Sequence, residues 1–361
     1  MKQILKNRTI VIVIVMLFAV LLISGCSSNN QNSNSDQSPS SSTSNNPSPA
    51  PASTENAAEP IVLSYVSFVP PNNSGVVAFD KAFVDKLNER ANGELILEFR
   101  GGPDVFAALD IGDAVKSGAV DIGYIYFGAY EALTPGVAGL TYSQLEPEEE
   151  LDIAYDYVEE LHNVGGLHWL GRSSCSTGNF FRTWMRKPVE KTADLKNMLI
   201  GSSTGGQPAV EGWGAAWVNV EVADNYTALE QGVVDAIAAQ SYATAYTASY
   251  YEVAPYSIDH AYFKATTSYI MNLDKYNSLP EHLQKLIDDV AREATTEITA
   301  LVDADNIFQR AELEKLGHTF IKFEPADAEL YVQLAYDRGW ARQMEKYPEQ
   351  TPKLKELLTK N

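Results

Sequence analysis

The spacing of apolar and polar residues alternates along this chain between the period of a strand and that of a helix. Ile61, Leu63, Tyr65 and Val69 interleave with Val62, Val66 and Phe68, a run apolar enough for a buried parallel strand. It opens into Pro70-Pro71-Asn72-Asn73-Ser74-Gly75. Val77, Phe79, Phe83, Val84 and Leu87 then recur at helical spacing, Asn92-Gly93 ends the helix, and residues 95–99 return as a strand. Strand, helix and strand of this size predict a βαβ unit, which places residues 68–73 at a carboxyl end, where α/β sheets bind small ligands. A helix over 111–116 and a strand over 120–126 follow, with Tyr126 as the strand's last residue.

Residues 146–161 predict an acidic amphipathic helix whose apolar face carries Leu151, Ala154, Tyr155, Val158 and Leu161, with Glu146 to Glu150 as a solvated first turn. Residues 165–172 lead into a strand and a Ser-rich loop, and 180–185 predict a strand. The stretch 186–240 holds two short strand-loop-helix units. Residues 198–200 form the first strand, 201–206 a Gly/Ser/Thr loop, and Pro208 the first turn of a helix. Residues 217–222 form the second strand, Asp224 caps a turn that Gly232 stops, and 233–238 are apolar again. A helix over 242–251 comes next. Ser278 and Glu281 form a capping box for a long helix through Leu283, Ile287, Val290, Ala294, Ile298, Leu301 and Phe308. A strand at Phe320 and helices near Leu330 and Leu354 close the chain. Strands alternating with helices in this way predict an α/β protein with mostly parallel sheets.

Several of these segments carry a family likeness. Lys187-Pro188-Val189, Ala193-Asp194-Leu195-Lys196, Gly214-Ala215 and the run from Asp224 through Tyr226, Gly232 and Asp235 resemble the extracytoplasmic solute-binding proteins of TRAP (tripartite ATP-independent periplasmic) transporters. Gly93 in its Ala-Asn-Gly-Glu-Leu turn, Lys116 to Gly123, Tyr251-Glu252-Val253 and Ser278-Leu279-Pro280-Glu281 extend the likeness over 61–345. The resemblance implies a two-lobed periplasmic-binding-protein-like fold with a long helix bridging the lobes. Lobe 1 would be 61–178 plus 267–308, and lobe 2 would be 179–266 plus 309–361, with chain crossings near Gly178, Lys264 and Phe308. It also implies a receptor that closes on a small organic acid and hands it to TRAP membrane subunits. Members of the family place an arginine on the ligand's carboxylate at the end of the strand after the Asp-Leu-Lys segment, and that position here is Gly201. A second family arginine falls at Phe181, with Arg182 one residue on and facing the other way.

The start of the chain changes the setting. Lys2, Lys6 and Arg8 precede an apolar run over 10–23 and then Ser24-Gly25-Cys26, the pattern of a signal peptide (1–25) ending in a lipobox, with Cys26 as the lipidated residue. Residues 26–60 hold almost no large apolar side chain and read as a disordered tether with an r.m.s. span of roughly 30 Å. This predicts a domain fixed by lipid to the outer face of the cell membrane. A formal charge of −20 disfavours nucleic acid as a partner. With Cys26 lipidated, Cys175 is the one thiol left of the two in the chain, so no internal disulfide is expected.

The five histidines show no metal-ligand spacing, and phosphate, dinucleotide and nucleophile-elbow motifs are absent, so no cofactor, metal or catalytic residue is expected. The expected ligand-facing residues are Phe68, Asn72, Tyr126, Arg172, Phe181, Gly201, Ser203, Trp217 and Gln240. Gly201 would leave space among the aromatic side chains for a bulkier or more aromatic ligand. Its carboxylate would be held by another cation, first of all Arg172, or by the amides of the 201–206 loop, a metal ion, or nothing. Arg172 paired with a surface carboxylate, a ligand-sensing receptor subunit and a surface enzyme of unknown reaction are the readings that compete.

Overall fold

The computed structural model describes residues 59–173, 175, 180–265 and 267–360. The signal peptide, Cys26 and nearly all of the tether lie outside these residues, as does the crossing expected near Gly178. No described helix is long and apolar enough to cross a membrane.

Two sheets carry the fold. The first has five strands in the order β2-β1-β3-β10-β4, from β1 (Ile61–Ser67), β2 (Leu95–Gly101), β3 (Ile122–Tyr126), β4 (Leu167–Arg172) and β10 (Thr267–Asn272). The second has six in the order β11-β9-β5-β8-β6-β7, from β5 (Arg182–Met185), β6 (Leu199–Ser202), β7 (Ala216–Asn219), β8 (Ala236–Gln240), β9 (Tyr256–Ile258) and β11 (Thr319–Ile321). Parallel pairing joins β1 to β2 and β3, β6 to β7 and β8, and β9 to β11. Every antiparallel pairing involves β5 or β10. These are the strands the chain enters on passing from one sheet to the other, where no crossover helix is present to impose the parallel direction.

The passages between sheets are 173–181, 259–266 and the helix Glu281–Lys315. Leu283, Ile287, Val290, Ala294 and Ile298 of that helix pack on the first sheet, and Leu313 packs in the core of the second. Ser278 does not cap it. Ser278 ends a preceding helix, Leu273–Ser278, and donates its hydroxyl to the Lys275 carbonyl at 2.7 Å. Asp224 likewise makes no side-chain cap, because the 3₁₀ turn Val222–Asp224 runs straight into the helix Asn225–Glu230. The helix expected over 242–251 is two, Tyr242–Thr247 and Tyr250–Val253, broken where Ser249 turns left-handed at φ 56°.

One buried cluster runs through both sheets. It holds Val66, Ile125 and Trp169 from the first, Ile200 and Ala236 from the second, and Tyr262 and Phe263 from the passage between. The helix Pro325–Lys346 contributes Tyr331 and Trp340, with Trp340 set edge-on to Tyr142 at 5.4 Å. The last helix, Thr351–Leu358, packs on the helices Pro147–Val164 and Pro325–Lys346, and the Gln350 carbonyl accepts the Tyr157 hydroxyl at 3.0 Å. Burial of Leu354 and Leu358 against those helices draws it there.

Candidate ligand site

The first wall is built where β1 and β3 end. The Phe68 amide donates to the Tyr124 carbonyl at 3.0 Å and the Val69 amide to the Ser67 hydroxyl at 3.1 Å, so the chain turns off the sheet at Phe68. The Phe68 ring lies 5.5 Å from Tyr124 and 5.4 Å from Tyr126, edge-on to the latter. Burial, and then the charge of Glu221 on the second sheet's side, raise the Tyr126 phenol above its ordinary value. Asn72 sits in an exposed turn, and its neighbour Asn73 caps the following helix by accepting from Gly75 N at 2.9 Å.

The opposite wall is the end of β6. Trp217 donates its indole N–H to the Ser202 carbonyl at 3.2 Å and hydroxyl at 3.0 Å, which fixes the half-buried ring beside the loop. The Ser203 carbonyl accepts from Gly206 N at 3.0 Å and from the Ser202 hydroxyl at 2.9 Å. Gly206 must lack a side chain, because a Cβ there would come within 2.7 Å of Ser202 and 2.9 Å of Ala239. The walls approach each other at Gly128, where a Cβ would lie 3.4 Å from the Tyr126 ring and 3.6 Å from the Thr204 hydroxyl. Phe68, Phe181 and Trp217 are all half-buried against the one shared core.

The passages between the sheets contribute the rest. Phe181 pairs with Tyr262 through both backbone hydrogen bonds, at 3.1 and 3.0 Å. Gln240 ends β8, is 4% exposed, gives its carbonyl to the Trp184 indole at 3.2 Å and has no side-chain partner among the described residues.

Two expectations are corrected here. Arg172 is not a free cation. It and Glu150 are each 2% exposed and joined by two charge-assisted bonds of 2.7 and 2.6 Å, and another Arg172 nitrogen donates to the Ala265 carbonyl at 3.1 Å. The first turn of the helix Pro147–Val164 is therefore not wholly solvated, since Glu150 points inward. Gly201 does not open space toward the aromatic wall either. A Cβ there would meet Ile237 at 2.7 Å, Val220 at 2.9 Å and Val234 at 3.3 Å, so the face on which an arginine would start is already packed.

Arg182 lies 3.8 Å over the Tyr242 ring, on the side of the second sheet that carries Asp259 and Arg310. Against the penalty of burial, hydrogen bonds from Tyr242 and Arg310 keep the Asp259 carboxyl below its ordinary range.

Sequence reading passed over Lys264. It is 3% exposed, its backbone N–H donates to the Thr141 carbonyl at 2.9 Å, and its ammonium donates to the Cys175 carbonyl at 3.0 Å. The signal was a single cation in the apolar run Ala261-Tyr262-Phe263-Lys264-Ala265. The signal for Glu150 was its place four residues before Ala154 and eight before Val158, on the buried stripe. Among the described residues no group of three or more His, Cys, Asp or Glu is placed to hold a metal.

Residues 65–346 match the family model described as bacterial extracellular solute-binding protein, family 7. A monocarboxylate 2-oxoacid-binding periplasmic protein of Nostoc sp. is 24% identical over 265 residues, covering 65% of this chain and 67% of the relative. A TRAP periplasmic solute-binding protein from Desulfovibrio salexigens, solved with bound orotic acid, superposes with a TM-score of 0.73 at 18% identity over 82% of this chain and 97% of that one. A Bordetella pertussis extracytoplasmic solute receptor binding pyroglutamic acid does so with 0.71 at 16% identity over 82% and 99%.

Proposed function

For this chain, which belongs to the bacterial extracellular solute-binding protein family 7, the receptors of TRAP transporters, we propose a small ring-bearing or 2-oxo monocarboxylate as the captured solute. The observation that carries the reading is the pair of walls, Phe68 edge-on to Tyr126 and the Trp217 ring held on Ser202, on strand ends that approach at Gly128 and Thr204. Flat faces on both sides suit a planar ligand. The acids held by the relatives, a 2-oxoacid, orotate and pyroglutamate, are of this kind. With Gly201 packed against Ile237 and Val220, the preference for a flat ligand rests on the walls and not on vacated space.

The proposed lobes are 61–178 with 267–308, and 179–266 with 309–361, closing about the passages between the sheets. Phe68, Tyr126, Phe181, Ser203, Trp217 and Gln240 form the proposed lining, and Asn72 borders it. Lipidation at Cys26 and a tether over 26–60 would hold the receptor at the membrane face beside its transporter, a reading supported by the lipobox alone.

A thermal-shift series with pyruvate, orotate, pyroglutamate and neutral uracil tests the solute class, because a binder raises the melting temperature by mass action. At least one of the three acids should stabilise the protein and uracil should not. A response to uracil with none to the acids would remove the monocarboxylate reading. Cys26→Ser should release the protein from membranes, and unchanged retention of the processed form would remove the anchor.

A further inference from the structure

We infer that Lys264 is the anchor for the ligand's carboxylate, in place of the arginine whose position here is Gly201. The inference rests on the monocarboxylate reading above.

Cations in or beside the loop passages 173–181 and 259–266 differ in how they are met: Arg172 and Arg310 are each paired with a carboxylate, and the buried Arg182 Nε has no partner among the described residues. Arg172 has both oxygens of Glu150. Arg182 stacks on Tyr242 within the field of Asp259. Lys264 is as buried as Arg172, yet its ammonium makes one hydrogen bond, to a neutral carbonyl, and no carboxylate of the described residues comes within ion-pair distance. An ammonium has three donors. A buried charge is tolerated when a counter-charge and further acceptors meet it, and the described residues supply neither to Lys264. The missing partner is an anion from outside, with two donors left to receive it.

The backbone around Lys264 is held in an uncommon state. Phe263, a bulky aromatic residue, has φ 58°, and so does Ala239 beside Gln240. The two are tied together, since the Ala239 amide donates to the Tyr262 hydroxyl at 2.7 Å. Left-handed non-glycine residues are costly and persist where surrounding structure enforces them, commonly at ligand clamps. Each bend immediately precedes a buried polar side chain, Lys264 after Phe263 and Gln240 after Ala239. An ammonium and a free amide on one frame suit a carboxylate that carries a neighbouring carbonyl or ring N–H.

The experiment uses the full-length protein, with affinities for pyruvate, orotate and pyroglutamate measured by calorimetry on wild type, Lys264→Met, Lys264→Gln and Lys264→Arg. Each acid that wild type binds should lose at least tenfold in affinity with Lys264→Met and Lys264→Gln, while Lys264→Arg recovers part of the loss. The ligand-free melting temperature of Lys264→Met should equal or exceed that of wild type, because an uncompensated buried charge has gone; a strut role would lower it. Should Lys264→Met not fold, Lys264→Gln carries the same test. Affinities within threefold of wild type in the folded variants overturn the anchor and leave the monocarboxylate reading standing. If wild type binds none of the acids, both fall.

Discussion

The flank of the first sheet and the passages between the sheets both bury cations, and they differ in whether the charge is closed. On the flank, His168 lies between Glu159 at 2.7 Å and Asp288 at 3.0 Å, with the Tyr276 ring stacked 3.7 Å away. The carboxylates are met in turn. Glu159 accepts from the Trp169 amide at 2.7 Å and Asp288 from the Tyr276 hydroxyl at 2.6 Å. Four elements are clasped there and every polar atom named has a partner. In the passages, Arg172 is closed by Glu150 while Lys264 is left open. Arg172 has its charge met within the fold, whereas the Lys264 ammonium makes one hydrogen bond, to a neutral carbonyl, among the described residues.

The comparison breaks most sharply at Glu150. Glu150→Ala should cost about 3–5 kcal/mol, because it leaves Arg172 buried without its partner. Urea unfolding measures it, and a loss below about 1 kcal/mol would mean the pair is open to water. Replacing both residues by apolar ones of similar volume should recover much of the loss.

The clasp on the flank should show in pH. Burial opposes the charged ring, but the bonds to Asp288 and Glu159 prevail and raise His168 from 6.5 to about 9. A group raised in the folded state contributes stability that is fully present below pH 6.5 and is lost as pH rises through 9. The contribution is on the order of 3 kcal/mol. Unfolding free energies across pH 6 to 9.5 should fall for wild type and stay flatter for His168→Asn. His162 has the opposite sign. Burial lowers it to about 4, so its contribution is present above pH 6.5 and lost as pH falls through 4.

Restoring the family's residue would sharpen the contrast between the two candidate anchor positions. Gly201→Arg should destabilise by about 1–3 kcal/mol through overpacking against Ile237 and Val220, with no gain in affinity for any acid. Tighter binding of orotate or pyroglutamate by that variant would show that the face can open. The smallest effect belongs to the exposed pair of Arg90 with Glu293, bidentate at 2.8 and 2.6 Å. Arg90→Ala should leave the melting temperature unchanged at 150 mM salt, since a screened surface pair contributes little.

Much of the fold was legible along the chain. The alternation at 61–69, the helical spacing from Val77 to Leu87 and the Pro208 start of a helix each placed an element, because backbone period and turn chemistry are local properties. Ser278 was misread as a cap because the same residue type also closes a helix, and Asp224 stands at the N-cap of Asn225–Glu230 without a side-chain bond; only neighbouring backbone decides which. Tyr126 ends its strand and Phe68 follows the end of its own, as the apolar runs along the chain predict.

What the amino-acid order determined by itself was therefore the α/β class, the helix spacing and the family, all written in short-range pattern. Tertiary structure alone decided which charges are open. Arg172 and Glu150 are far apart in sequence and meet only when β4 packs beneath the helix Pro147–Val164. Lys264 is set against Cys175 by two passages that return from different sheets. Burial and pairing of a charge depend on every segment packed around it, and no local pattern carries that information.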